Sequence, residues 1–245
     1  MLKQFTRNLL ATALLAGAAL AHAADPVNPA AAIKKDLQAK FPDAQSMVVT
    51  KLPYGNLYEA VADSEYVFYT DEKVSFILHG NLFDGKTQKN LTEVKMRELQ
   101  KAQFDKLPLD SAIKVVKGNG KRVVAVFSDI DCPYCRRLEE EFAKITDVTI
   151  YTFMYPIDSL HPDAARKSRA VWCAPDRAKA WDELINKKAE PKNPGTCDNP
   201  VAKTVELGAK LGVRGTPALF FADGKRVPGM MPAEQLEKYL SGNGK

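Results

Sequence analysis

The sequence predicts an α+β protein of unlike parts: a small N-terminal α+β unit, a linker helix, and a larger C-terminal unit interrupted by a helical insertion. Three observations carry this. Between Asn28 and Asp84 one short amphipathic segment precedes several short strand-like runs. Residues 86 to 107 mix both charge signs around sparse apolar residues. From Ser111 onward strand and helix patterns alternate, and two thiols in Cys132-Pro133-Tyr134-Cys135 fall where a strand hands over to a helix. The length of 245 residues, 45% hydrophobic, can bury a core and suits one or two domains, which excludes disordered and fibrous classes. The formal charge of +5 is modest and asks for no nucleic acid.

The chain opens with Lys3 and Arg7, an apolar and small-residue run from Leu9 to Leu20, and Ala21-His22-Ala23. The run is short for a membrane span, which needs about 20 apolar residues, so residues 1–23 read as a cleaved signal peptide rather than a retained anchor. Its removal leaves a charge of +3, from 33 basic and 30 acidic residues. Export would place the remainder in an oxidising compartment, where disulfides persist.

In residues 24–85, Asn28 can cap a helix, Pro29 can start it, Ile33, Leu37 and Phe41 share a face, and Pro42 stops it. Strands are expected at Met47–Thr50, Leu57–Ala62, Glu65–Thr70 and Val74–His79, with turns at Tyr54-Gly55-Asn56 and Asp71-Glu72. So small a unit makes a poor independent core, which argues for pairing with another copy through an open strand edge, or for packing as a subdomain on the rest. Residues 86–109 read as a mostly solvated linker helix ended by Pro108.

In residues 110–245, strands are expected at Ile113–Val116, Arg122–Ser128 and Val148–Phe153, with a helix at Cys135–Ala143, which makes a parallel β-α-β unit. A helical region from His161 to Asn186 and a helix from Val201 to Leu211 follow. Thr216–Phe221 and Arg226–Pro228 then form a hairpin around Asp223-Gly224, before a last helix at Pro232–Leu240.

Cys132 would sit at a helix N-terminus, where unpaired N–H groups and the dipole favour its thiolate, while Cys135 lies one turn in, within disulfide reach and more buried. Pro133 suits the first helical position. Arg136 and Arg137 add cations against Asp129 and Asp131, so the expected direction for the Cys132 thiol is down. The asymmetry suggests a mechanism in which Cys132 attacks a substrate disulfide and Cys135 resolves the mixed disulfide. A metal site needs a second ligand pair, which Cys173, Cys197, His22, His79 and His161 do not supply by spacing, and haem attachment needs His where Arg136 stands. No metal and no other cofactor is therefore expected. Cys173 and Cys197 suit a structural disulfide closing a loop of about 25 residues, worth roughly 3–4 kcal/mol, with a second redox pair as the alternative.

Together these residues resemble the DsbC/DsbG family of periplasmic thiol:disulfide interchange proteins, more closely its DsbC members. The resemblance runs through Phe127-Ser128-Asp129-Ile130-Asp131 before the thiol pair, Val171-Trp172-Cys173-Ala174, Leu207 to Pro217, Val227-Pro228-Gly229 and Leu78-His79-Gly80-Asn81-Leu82-Phe83-Asp84. It implies an N-terminal dimerisation domain, a linker helix and a C-terminal thioredoxin fold, with two active sites facing a shared cleft in a homodimer. It also implies that Cys132 and Cys135 are catalytic, that Thr216 precedes a cis Pro217 beside Cys132 to help bind substrate main chain with Tyr134, and that Cys173 pairs with Cys197. Its substrates would be misfolded disulfide-containing exported proteins in the periplasm, and a membrane thiol reductase of the DsbD type would keep its thiols reduced. Pro133-Tyr134 is the dipeptide of DsbG-like members, which leaves open a reductase of oxidised single cysteines. A chaperone-like holdase that binds unfolded chains is the non-enzymatic alternative.

Overall fold

The structure, a computed structural model, describes residues 28–244; the expected signal peptide lies outside the described residues. Asn28 caps helix α1 (Pro29–Lys40), its side-chain oxygen accepting from Ala30 N at 3.1 Å, and Pro29 opens the first turn. Strands β1 (Met47–Lys51), β2 (Tyr58–Ala62) and β3 (Tyr66–Thr70) form an antiparallel meander in that order. The alternation of β2 explains the packing. Tyr58, Ala60 and Ala62 join Ile33 and Leu37 of α1 in one cluster, whereas Val61 points into a second with Val67 and Tyr69.

The expected strand at Val74–His79 is absent apart from one bridge, Tyr69 to Leu78. Asp71 explains this: its carboxylate accepts from Ser75 N at 2.7 Å and from the Ser75 hydroxyl, closing a turn in which Val74 adopts φ 51°. The linker also departs from expectation, because residues 86–90 are a turn held by Asp84, which accepts from Lys86 N, Thr87 N and the Tyr54 hydroxyl. Helix α2 starts at Leu91 and runs to Phe104, capped by Asn90 on Glu93 N. It is less solvated than its sparse apolar residues suggested. Met96 and Leu99 cover the face of the sheet opposite α1, the Tyr69 hydroxyl meets Thr92 Oγ1 at 2.5 Å, and Lys95 lies 3.6 Å from the buried Glu59 carboxylate.

The C-terminal part is a five-stranded mixed sheet, ordered β4 (Ile113–Lys117), β6 (Val148–Met154), β5 (Arg122–Ser128), β7 (Ala218–Phe221), β8 (Arg226–Pro228). Strands β5 and β6 are parallel and joined through helix α3 (Pro133–Ala143); the other neighbours are antiparallel. Central β5 is buried on both faces. Val124 and Val126 meet Leu138 and Phe142 of α3 and Leu236 of α7 (Ala233–Leu240), while Ala125 and Phe127 meet Phe153, Tyr155 and Phe220. Phe104 and Leu107 from the end of the linker reach this second layer, beside α6 (Val201–Lys210). Docking is close: a Cβ on Gly224, in the β7–β8 turn at φ 91°, would lie 2.4 Å from Arg97 O of α2. Gln103 of α2 bridges both parts, donating to Ser64 O at 3.2 Å and accepting from the Arg226 guanidinium.

The expected helical region His161–Asn186 is two helices, α4 (Ala164–Trp172) and α5 (Arg177–Lys187), broken around Pro175. Their apolar faces, with Val171, Trp172, Trp181 and Ile185, cover the thiol pair. Strand β7 begins at Ala218 rather than Thr216, consistent with proline's lack of a ladder donor.

Candidate functional site

The site forms where β5 ends. Cys132 is the N-cap of α3 at φ −70°, ψ 123°, and Pro133 occupies the first turn without needing an N–H partner. Cys132 retains 6% of its surface and Cys135 only 1%. Their sulfurs experience opposite fields. A hydrogen bond from Cys135 is the largest influence on Cys132; against the opposing cost of burial, and with help from Thr216 and the N–H groups of Cys135 and Tyr134, it pulls the thiol down to about 5. Burial first, then the hydrogen bond and charge of Cys132, push Cys135 far up, although Ser128 and Asp129 N–H, 3.4 Å from its sulfur, act the other way. One sulfur thus favours its thiolate, and the other keeps its proton.

The pairing of β5 with β7 brings the distant Thr216 to the same place: Cys132 Sγ lies 3.4 Å from Thr216 O, and the Thr216–Pro217 bond is cis. Tyr134 is 56% exposed, with the Arg137 guanidinium 5.6 Å from its ring centre. The expected role of Arg136 and Arg137 as cations for Cys132 is not realised, since Arg136 Nε donates to Ile185 O at 2.6 Å and Arg137 lies over Tyr134. Cys173 and Cys197 form a disulfide, S–S 1.99 Å, leaving Cys132 and Cys135 as free thiols.

Two polar pairs escaped the sequence reading. Buried Asp129 accepts from Asp131 N at 2.9 Å, from Ile157 N at 2.7 Å and from His161 Nδ1 at 3.0 Å. Lys167 of α4 holds Asp131 at 2.8 Å. His161 is 32 residues from Asp129 and carries no local signal; only the closure of the insertion over β5 unites them. Among the described residues no group of three or more His, Cys, Asp or Glu could hold a metal ion.

Residues 109–242 match the family model of a thioredoxin-like domain, and residues 20–93 match that of the disulfide bond isomerase protein N-terminal domain. A probable thiol:disulfide interchange protein DsbC of Bordetella parapertussis is 41% identical over 220 residues, covering 90% of this chain and 76% of that protein. Thiol:disulfide interchange protein DsbC of Escherichia coli K12 is 31% identical over 201 residues, covering 80% and 81%. Among solved structures, a disulfide interchange protein from Neisseria gonorrhoeae is 55% identical at a TM-score of 0.54, covering 56% of this chain and 98% of that one. The chain belongs to the DsbC family of thiol:disulfide interchange proteins, and its activity is disulfide isomerisation by a thioredoxin fold.

Proposed function

We propose that Cys132 is the attacking thiolate and Cys135 the resolving thiol of a homodimeric isomerase acting on misfolded disulfide-containing proteins in the periplasm. The observation that carries this is the opposite displacement of two thiols one helical turn apart. Cys132 Sγ bonds to one sulfur of a substrate disulfide, whose S–S bond breaks, and the leaving sulfur keeps the electron pair and then takes a proton. A second substrate thiolate can then displace Cys132 from the mixed disulfide, which completes a rearrangement. Otherwise Cys135 gives up its proton, attacks Cys132 Sγ and releases a reduced substrate, leaving a Cys132–Cys135 disulfide. That outcome requires an external electron donor, for which a membrane thiol reductase of the DsbD type is the proposed partner. Thr216, Pro217 and the exposed Tyr134 border the reactive sulfur and serve as the substrate-facing surface.

Self-association is supported by the N-terminal domain, which exposes Val48, Tyr66, Phe76, Ile77, Leu78 and Phe83 and leaves β1 and β3 as the outer strands of its sheet. Export is supported by the apolar start of the sequence, and the Cys173–Cys197 disulfide suits an oxidising compartment. The test is refolding of a scrambled multi-disulfide protein. Cys132→Ala abolishes it, and Cys135→Ala accumulates mixed disulfides; full turnover by Cys132→Ala would sink the assignment. Sedimentation of the full chain without residues 1–23 gives a dimer, and a monomer at micromolar concentration overturns the homodimer.

A further inference from the structure

A cavity of about 530 Å³ is lined by residues 211–217, by β7 and β8, and by Glu65 from the β2–β3 turn of the small domain. Such a volume is ordinary for a ligand site, about 300–1,000 Å³. The cavity is continuous with the reactive sulfur, because Thr216, whose carbonyl lies 3.4 Å from Cys132 Sγ, forms part of its wall. The walls suit an extended chain. A Cβ on Gly215 or Gly229 would meet nothing within 4 Å, and the N–H groups of Arg214 and Gly215 have no backbone partner among the described residues. Val213, Pro217 and Val227 add apolar surface.

Among the described residues Glu65 is the only carboxylate that lines this cavity. It is half-buried and reaches the catalytic domain: a Cβ on Gly212 would lie 3.1 Å from its Oε1. The turn that carries it is fixed. Asp63 Oδ1 accepts from Ser46 N at 2.7 Å, and Ser64 O accepts from Gln103 Nε2 at 3.2 Å. The two cations of the cavity differ. Arg226 is committed, donating to Leu211 O at 3.0 Å and to Gln103 Oε1 and lying 4.6 Å from the ring centre of Phe220, whereas Arg214 is exposed. From Gly212 to Thr216 is four residues, at most about 14 Å when extended, so a substrate chain laid alongside reaches Glu65 about four residues from its cysteine.

We propose that Glu65 is a specificity-determining residue: it selects a cationic side chain of the substrate, about four residues from the cysteine under attack, in the groove that leaves the active site along residues 211–217. This rests on Cys132 being the attacking sulfur. The chain without residues 1–23 carries +3, from 33 basic and 30 acidic residues, so its overall field disfavours a cationic peptide and a preference for one has to come from a local anion.

The test uses the reduced full chain without residues 1–23 and synthetic peptides with one cysteine held in a disulfide with 5-thio-2-nitrobenzoate. Cys132 Sγ bonds to the peptide sulfur, the old S–S bond breaks, and the coloured thiolate leaves with the electron pair, which gives the rate. Lysine, norleucine or glutamate is placed four residues before or four residues after the cysteine. At low salt the lysine peptide reacts about threefold faster than the norleucine peptide in one of the two placements, as suits a partly exposed charge pair. The ratio falls towards one at about 1 M salt, where the screening length is about 3 Å. Glu65→Gln removes the ratio, and Glu65→Lys makes the glutamate peptide the faster one. A purely structural role for Glu65 would change all three peptides alike. Equal ratios in wild type and Glu65→Gln, a wild-type ratio of one in both placements, or a wild type that prefers the glutamate peptide, which would give the groove to Arg214, each overturn the proposal. In those cases a peptide adduct mapped to Cys132 still upholds the attacking sulfur, while an adduct on Cys135 overturns that underlying assignment.

Discussion

Stabilisation of the Cys132 thiolate makes the folding stability of the reduced protein depend on pH in a way that can be calculated. The thiol stands at about 5 in the folded chain against a reference of 9.0, and it is almost wholly buried. A depressed folded value contributes stability that is complete above the reference value and is lost as pH falls through the folded one. Between 9 and 5 the contribution declines by about 1.4 kcal/mol per unit, so it is roughly 3 kcal/mol at pH 7 and under about 1 kcal/mol at pH 5. Cys132→Ser cannot ionise in this range and removes the contribution. Urea unfolding followed by tryptophan fluorescence is the assay, because Trp172 and Trp181 both lie in the insertion that covers the thiols. Under reducing conditions, the gap between wild type and variant should shrink by about 2 kcal/mol from pH 7 to pH 5. A gap that changes by less than about 0.5 kcal/mol refutes the thiolate as a stabilising species.

Glu139 receives Trp181 Nε1 at 2.9 Å, yet burial raises its carboxyl to about 7, so charging it costs stability that grows from pH 4.5 upward. Glu139→Gln keeps the acceptor without the charge and should stabilise by about 2 kcal/mol at pH 8 and by almost nothing at pH 4.5, read as Tm. Gly224→Val places a side chain against Arg97 O and Lys101 N and strains a positive φ; it should cost about 2–3 kcal/mol and expose the end of α2 to limited proteolysis. Replacing both Cys173 and Cys197 with Ala opens a loop of 24 residues and should cost about 3.5 kcal/mol by urea unfolding, while the alkylation rate of Cys132 stays unchanged.

Local chemistry explains which parts of this molecule were legible in its sequence. Asn28-Pro29 and Cys132-Pro133 each mark a helix start by backbone rules that operate within a few residues, and both helices begin there. The segment Val74–His79 has strand composition, but Asp71 captures the backbone of Ser75 first, and a side-chain turn preempts the ladder. Helix α2 looked solvated because its apolar residues are divided between two partners: Met96 and Leu99 serve the small sheet, and Phe104 serves the large one, so neither face shows a full stripe. Arg136 and Arg137 were misread for a related reason: sequence proximity to Cys132 fixes their position on the helix, but not the Ile185 carbonyl and Tyr134 ring that claim them. The Asp129–His161 pair depends on chain closure over 32 residues, and no local pattern announces it.

The contact between Cys132 Sγ and the Thr216 carbonyl gives the site a gate that opens with a proton. A thiol can donate to that carbonyl; a thiolate cannot. Ionisation therefore releases the carbonyl from the sulfur's hydrogen, while a hydrogen bond from the Thr216 side chain favours the anion. Under the substrate-facing role proposed for Thr216, an incoming polypeptide N–H would find that acceptor free only on the ionised form. Readiness to bind and readiness to attack are then one event, governed by a single hydrogen.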